Sequence, residues 1–278
     1  MAIEQQRVLV TGARGAVGSA VAKELRRRGH FVRGFDLRPM DNVDEAHIGD
    51  LANRTAVETA VEGMDAVVHL AATPDAADFL TMLLQPNIVG VYQIFEAVKK
   101  RGVRRLVYAS TVQTVMGPLP SGAGLSVQRG RSIPTGPDRG QFAPDFGERL
   151  IRLEDGTGPP NHYAVTKLFG EAMCAMYAHQ YGISVAAVRL GWLPRAPHDV
   201  ASIAQLEWAQ NIYFSPGDAG RFFALCVEAQ DLPPVATLFA SSRPKTRPVL
   251  DLEPARKWIG YEPQDTWPEG APHPVPEA

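Results

Sequence analysis

Cysteine is scarce: the 278 residues hold two, Cys174 and Cys226. Both sit in apolar helical patterns, which argues against a disulfide framework and for buried thiols. Excess charge of one sign is missing as well. The formal net charge is −2 and the sequence pI ≈ 6.4, so no basic surface recommends nucleic acid or a membrane as partner. The basic cluster Arg26-Arg27-Arg28 closes a helical pattern, where it complements the helix dipole. No apolar run is long enough to span a bilayer, and the short polar opening from Met1 to Arg7 lacks a signal-peptide pattern. The expected setting is a reducing cytoplasm. No Cys/His/Asp cluster has metal-ligand spacing, so no metal is expected. Neither an internal repeat nor a sharp linker divides the chain, and the expectation is one domain over residues 1–278.

What is present is a strand, a glycine turn and a helix. The apolar run Val8-Leu9-Val10 breaks into Thr11-Gly12-Ala13-Arg14-Gly15-Ala16-Val17-Gly18, and Val17, Val21, Ala22 and Leu25 then share one helical face. Such a turn points backbone N–H groups and a positive helix N-terminus at a pyrophosphate. An acid, Asp36, ends the second apolar run Phe31–Phe35, where a dinucleotide's ribose hydroxyls are held. Asp36 accepts hydrogen bonds from a ribose diol and repels a 2′-phosphate, which favours NAD over NADP. Arg38 is the residue that can argue the other way.

Strand and helix signals alternate from there. Strands are expected near Ile48, over Ala66–Leu70, over Leu106–Ala109, over Ile183–Leu190 and over Val235–Ala240. Helices are expected over Thr55–Glu62, over about 76–101 with a break near Pro86, from Asn161 to about Tyr181, over Ile203–Gln210, over Ala219–Ala229 and over Leu252–Ile259. The predicted fold class is α/β: a Rossmann-type doubly wound parallel sheet with a small C-terminal substrate-binding portion. Ligands of such sheets bind beyond the carboxyl ends of the strands, where the glycine turn, Asp36, Asp50, His69–Ala72 and Ser110-Thr111 all fall. From Gly117 to Pro160 periodicity vanishes, and 16 of these 44 residues are Gly or Pro. That stretch reads as a loop over the substrate site, with a short helix around Phe146–Leu153. Residues 117–160 and 191–278 are the expected sources of substrate-site elements. The proline-rich tail after Tyr261 reads as loosely held.

Tyr163 and Lys167 are four apart on a predicted helix and so share a face. An ammonium nearby favours the phenolate, and the phenol can then exchange a proton with a substrate hydroxyl. Thr111, or Ser110, at a strand end can donate to a carbonyl oxygen in the transition state. His69 reads as a packed, hydrogen-bonded histidine. Asn87 is polar support for the site or a simple interior amide.

Taken together, Thr11–Gly18, Asp36, Gly49-Asp50-Leu51, His69-Leu70-Ala71-Ala72, Asn87 with Gly90, Val107–Thr111, Tyr163–Lys167 and Arg189 resemble the extended short-chain dehydrogenase/reductases, the NAD-dependent epimerase/dehydratase family. Within it, Phe35–Pro39 and Ser215-Pro216-Gly217-Asp218 look most like uronate dehydrogenases. The resemblance implies NAD as cofactor, held by Gly12, Arg14, Gly15, Ala16, Val17, Asp36, Leu37, Arg38, Asp50, Leu51, Leu70, Ala71, Ala72, Asn87, Tyr163 and Lys167. It implies Thr111, Tyr163 and Lys167 as the catalytic set. It implies substrate contacts from Thr73, Thr111, Val112, Gln113, Trp192 and Arg195, and a homodimer formed by the helix near 80–101 and the Tyr163 helix. The implied reaction oxidises a sugar-acid hemiacetal to a lactone. A nucleotide-sugar epimerase or dehydratase with tightly held NAD, and a non-catalytic NAD(P)-binding regulator, are the competing readings. Departures from the uronate pattern concern the substrate. Thr111 is followed by Val112 and Gln113 where those enzymes have Asn and His, and Trp192 replaces a serine. Ala201 falls where they carry an arginine for the substrate carboxylate, leaving Arg195, Arg131 or Arg139 to stand in.

Overall fold

The structure is a computed structural model that describes residues 4–75, 77–117, 119 and 150–271. Strand β1 (Arg7–Thr11) carries Val8 and Val10 into one apolar cluster and Leu9 into the other, so both faces of the sheet are covered. Six further strands join it: β2 (Phe31–Asp36), β3 (Glu45–Ile48), β4 (Ala66–His69), β5 (Arg105–Thr111), β6 (Ser184–Leu190) and β7 (Val235–Ala240). They form one sheet in the order β3-β2-β1-β4-β5-β6-β7, and every neighbouring pair is parallel. The chain steps outward from β1 through β2 to β3 and then returns to the other side of β1 with β4. The carboxyl ends of β1 and β4 therefore flank a topological switch point, the crevice where doubly wound sheets take ligands.

Helices α1 (Ala16–Arg27) and α7 (Pro216–Glu228) pack together on one face of the sheet. On the other face lie α2 (Arg54–Val61), α3 (Gly90–Arg101) and α4 (His162–Tyr181), in a cluster with Val57, Phe95 and Tyr177. Cys174 and Cys226 are buried and unbridged. Asn161 starts α4 because its Oδ1 accepts the Ala164 N–H at 2.9 Å. Between β4 and α3, residues Phe79–Val89 wind as π-helical turns, with the Gly90 N–H donating to the Gln85 carbonyl five residues back. Pro86 lies inside this segment, where an α-helical ladder would lose a donor, so the expected interruption takes the form of wider turns.

Three expectations change. The single short helix over Ile203–Gln210 is two helices, α5 (Pro197–Gln205) and α6 (Glu207–Asn211), because Leu206 between them is extended. Pro197 sits in the first turn of α5, which moves that start six residues earlier than the apolar pattern indicated. The segment after Tyr261 is tied down through residue 267. Asp218, fully buried at the start of α7, accepts the Gln264 N–H at 2.9 Å and the Asp265 N–H at 3.0 Å. Trp267 packs edge-on against Tyr213 with ring centres 5.0 Å apart. A buried carboxylate needs donors, and this segment supplies two of them. Of the expected loop over 117–160, residues 118 and 120–149, with Arg131, Arg139 and the start of the Phe146–Leu153 helix, lie outside the described residues. The end of that helix is a single 3-10 turn, Leu153–Asp155, and Ile151 beside it bridges to Leu250. The last helix, α8, spans Glu253–Ile259. Among the described residues no helix is long and apolar enough to cross a membrane.

Candidate active site

A cavity of about 720 Å³ opens along the carboxyl ends of β1, β2, β4, β5 and β6. Its first wall is the glycine turn. Gly12 has φ +68°, a region L side chains avoid, and a Cβ there would stand 2.9 Å from the Ala71 nitrogen. At Gly18 a Cβ would fall 2.0 Å from the Gly12 carbonyl oxygen, so only glycine lets α1 dock against the turn. The Asp36 carboxylate accepts the Arg14 N–H at 3.1 Å and the Arg38 N–H at 3.3 Å, which fixes it at the end of β2.

Thr11 ties this wall to the end of β4. Its Oγ1 accepts the N–H groups of Leu70 and Ala71 at 3.1 and 3.2 Å. Both lone pairs are thereby used, so the Thr11 hydroxyl proton points to His69 Nδ1, 2.8 Å away. His69 is therefore the Nε2–H tautomer. Burial, followed by the charge of Lys167, pushes its pKa down to about 3, so the ring is neutral.

The side chains expected to carry the chemistry come from β5 and α4. Tyr163 is 8% exposed and lines the cavity together with Thr111. Lys167, 4% exposed, donates to the Ala109 carbonyl at 2.8 Å, with its Nζ 5.8 Å from the centre of the Tyr163 ring. Burial raises the Tyr163 pKa to about 12; Asp75 adds to the rise, while Arg195 and Thr111 oppose it. Burial lowers Lys167 to about 8. The spacing alone suggested a phenol lowered by its ammonium neighbour. In the folded chain desolvation sets the direction instead, and Asp75 adds to it.

Ser110 is the alternative hydroxyl, but it donates to Glu171 Oε1 at 2.6 Å, and Glu171 is held bidentately by Arg189 at 2.9 and 2.8 Å. Thr111 is left to face the cavity. Gln113 accepts from Asn161 Nδ2 at 2.9 Å, so the turn after β5 steadies the cap of the helix that carries Tyr163.

The structure brings Gly12, Arg14, Gly15, Ala16, Val17, Asp36, Leu37, Arg38, Asp50, Leu51, Leu70, Ala71, Ala72, Thr73, Thr111, Val112, Gln113, Tyr163, Lys167, Trp192 and Arg195 to this one cavity. Asn87 is apart from them. It is 1% exposed and stands behind the wall, where its amide clamps Thr73 N at 2.8 Å and Thr73 O at 2.9 Å and donates to Thr166 at 3.2 Å. The Ser215–Asp218 stretch holds the C-terminal segment rather than lining the cavity. Asp75 and Trp208 are among the lining residues that escaped sequence reasoning. Asp75 falls between the expected strand and the expected helix, where no pattern marks it, and Trp208 falls within an expected short helix as one apolar position. Among the described residues no group of three or more His, Cys, Asp or Glu side chains is placed to hold a metal ion.

A sheet of this order, a glycine turn at its switch point and a Tyr-x-x-x-Lys helix facing that turn define a dinucleotide-binding α/β protein of the short-chain type. Residues 8–193 match the model of the NAD dependent epimerase/dehydratase family, and the chain belongs to that family. An L-arabinose 1-dehydrogenase (NAD(P)(+)) from Haloferax volcanii is 30% identical over 267 residues, covering 93% of this chain and 96% of the relative. A uronate dehydrogenase from Pseudomonas putida is 30% identical over 268 residues, covering 82% of this chain and 90% of the relative. Among solved structures, a glucuronic acid dehydrogenase from Chromohalobacter salexigens superposes with a TM-score of 0.73 at 26% identity, over 95% of this chain and 86% of that one. A variant uronate dehydrogenase from Agrobacterium tumefaciens, solved with NAD, gives a TM-score of 0.69 at 26% identity, over 94% of this chain and 86% of that one. Uronate dehydrogenases, the group singled out by Phe35–Pro39 and Ser215–Asp218, are thus among the relatives.

Proposed function

We propose that the protein is an NAD-dependent dehydrogenase that oxidises a carbinol of a sugar-like compound, with Tyr163 as general acid/base. One observation carries this reading: Tyr163, Lys167 and Thr111 share a cavity with the glycine turn and Asp36. The chain's residues suit the cofactor, since the space a Cβ would fill at Gly12 is left clear against Ala71 and a fixed carboxylate waits at the end of β2. Gly12, Gly15 and the N-terminus of α1 would hold the pyrophosphate, Asp36 the adenosine ribose, and Asp50 with Leu51 the adenine. When bound, NAD supplies the acceptor for the electron pair of the breaking C–H bond. The proton of the substrate hydroxyl goes to the Tyr163 phenolate oxygen, the C–O bond becomes a carbonyl, and Thr111 donates to that oxygen. A sugar hemiacetal would leave as a lactone. Lys167, charged below about pH 8, favours the phenolate form over the phenol.

The test is NADH formation by the purified protein with NAD or NADP, across uronic acids, aldoses and polyols. Turnover of a sugar-like hydroxy compound with NAD is the expected result. NAD that copurifies, with nucleotide-sugar interconversion and no net NADH, would replace this reading by that of an epimerase.

Asp36 makes the cofactor preference separately testable. A carboxylate beside a 2′-phosphate is a like-charge contact worth several kcal/mol. Replacing Asp36 with Ser is expected to raise the NADP-to-NAD ratio of kcat/KM by about 10- to 100-fold, with Arg38 left to meet the phosphate. An unchanged ratio would mean that Asp36 does not face the adenosine ribose.

A further inference from the structure

Two loops meet over Tyr163. The loop after β4 brings Asp75, and the loop after β6 brings Arg195, whose Nη2 lies 2.5 Å from Asp75 Oδ2. A second carboxylate holds the same arginine. Asp199 Oδ2 accepts the Arg195 backbone N–H at 2.9 Å and lies 3.9 Å from its Nε. Asp75 reaches this position with φ +70°, the one non-glycine residue in the left-handed region among those described. Strained backbone of this kind persists where the surroundings over-determine it, and it clusters at functional sites. Both Asp75 and Arg195 are close enough to the Tyr163 phenol to act on its proton affinity, after burial and in opposite directions. Beside them, Trp192 and Trp208 line the same cavity with ring centres 5.7 Å apart and planes tilted by 33°.

Resting on the dehydrogenase reading above, we infer that the Asp75–Arg195 pair selects a neutral polyhydroxylated ring, an aldopyranose, and turns away its uronic-acid counterpart. Arg195 stands in for the missing carboxylate-binding arginine only by position. One guanidinium already faces two carboxylates, so an arriving carboxylate must displace Asp75 or sit beside it. Like-charge juxtaposition of this kind costs several kcal/mol. A hydroxyl meets no such conflict. It donates its proton to Asp75 and accepts from an Arg195 N–H at once, at the edge of the pair. The indole faces of Trp192 and Trp208 offer apolar area to the C–H face of the ring while its hydroxyls turn to the ion pair. The strained Asp75 is thus a specificity residue that doubles as the occupant of the arginine.

The experiment compares D-glucose, D-galactose, D-xylose and L-arabinose with D-glucuronate and D-galacturonate, using the full chain with NAD, in wild type and Asp75→Asn. Wild type is expected to favour a neutral aldose over its uronate by about 100-fold or more in kcat/KM. Asp75→Asn, nearly isosteric, is expected to shift that ratio toward the uronate by about tenfold or more. Wild-type preference for a uronate, or a ratio that Asp75→Asn leaves unchanged, would overturn the inference. Binding of the same sugars to the NADH-loaded protein, read by tryptophan fluorescence, separates the two readings. Absent turnover of every sugar removes the dehydrogenase reading. Tighter binding of the aldose would then still uphold the selection, and tighter binding of the uronate, or of neither, would end it.

Discussion

Tyr163→Phe is expected to lower kcat for NAD-linked oxidation by about 10³-fold, within the range of two to four orders typical for a positioned acid or base. NAD affinity should change by no more than about threefold, since the pyrophosphate and adenosine ends of the cradle lie on β1, β2 and α1. The pH profile carries the same argument. Burial holds the phenol protonated up to about 12, so in the oxidation direction the base form is the minor one and grows with each unit of rising pH. Lys167 works against this on the alkaline side. Its ammonium, lowered to about 8 by burial, gives up its proton above that pH, and its support for the phenolate goes with it. Oxidation should therefore climb from pH 6 toward about 8 and then flatten or fall, and carbonyl reduction, which uses the phenol as acid, should not share the climb. Steady-state rates in both directions across pH 6–10 check this. A Tyr163→Phe protein that keeps a tenth or more of wild-type kcat would remove the tyrosine from the chemistry.

The parts of this site legible in the sequence are those built from short, local pattern. The turn from Gly12 to Gly18 announces itself because strand, turn and helix follow one another within a dozen residues. Tyr163 and Lys167 announce themselves because one helical turn sets their shared face. The parallel pairing of the sheet follows from alternating strands and helices, and all seven strands fall near the expected positions. What stayed hidden depends on contacts between distant segments. Asp75 and Arg195 are 120 positions apart and meet only because β4 and β6 end at the same edge. Trp208 lines the cavity from α6, beyond the extended Leu206 that divides the expected helix in two. The tail after Tyr261 looked free because its proline content was visible, whereas the buried Asp218 that needs its N–H groups was not. The proton affinity of Tyr163 illustrates the same limit, since spacing reveals the ammonium while burial, a property of the whole fold, decides the sign.

His69 makes acid stability the second large effect. In the folded chain its Nδ1 accepts the Thr11 hydroxyl proton, because both Thr11 lone pairs are taken by Leu70 and Ala71. A proton added at Nδ1 would face that hydroxyl hydrogen, and a charged ring would sit in a fully desolvated pocket near Lys167. The folded pKa of about 3 lies below the ordinary histidine value of 6.5, so the unfolded chain binds the extra proton first as pH falls. The stability tied to neutral His69 is accordingly present in full above about 6.5 and is lost on the way down to about 3. The whole span is worth about 5 kcal/mol, of which about 2.5 kcal/mol goes between pH 7 and 4.5. The loss also bears on function, because the same Thr11 hydroxyl anchors Leu70 and Ala71, and Ala71 abuts Gly12 in the cofactor cradle. Urea unfolding at pH 7 and pH 4.5 should show wild type losing about 2.5 kcal/mol more than His69→Leu over the same interval, whatever the two proteins' absolute stabilities. NAD affinity of wild type should weaken in the same window while that of the variant stays level. Equal losses in the two proteins would mean that His69 is not the group that takes up the proton.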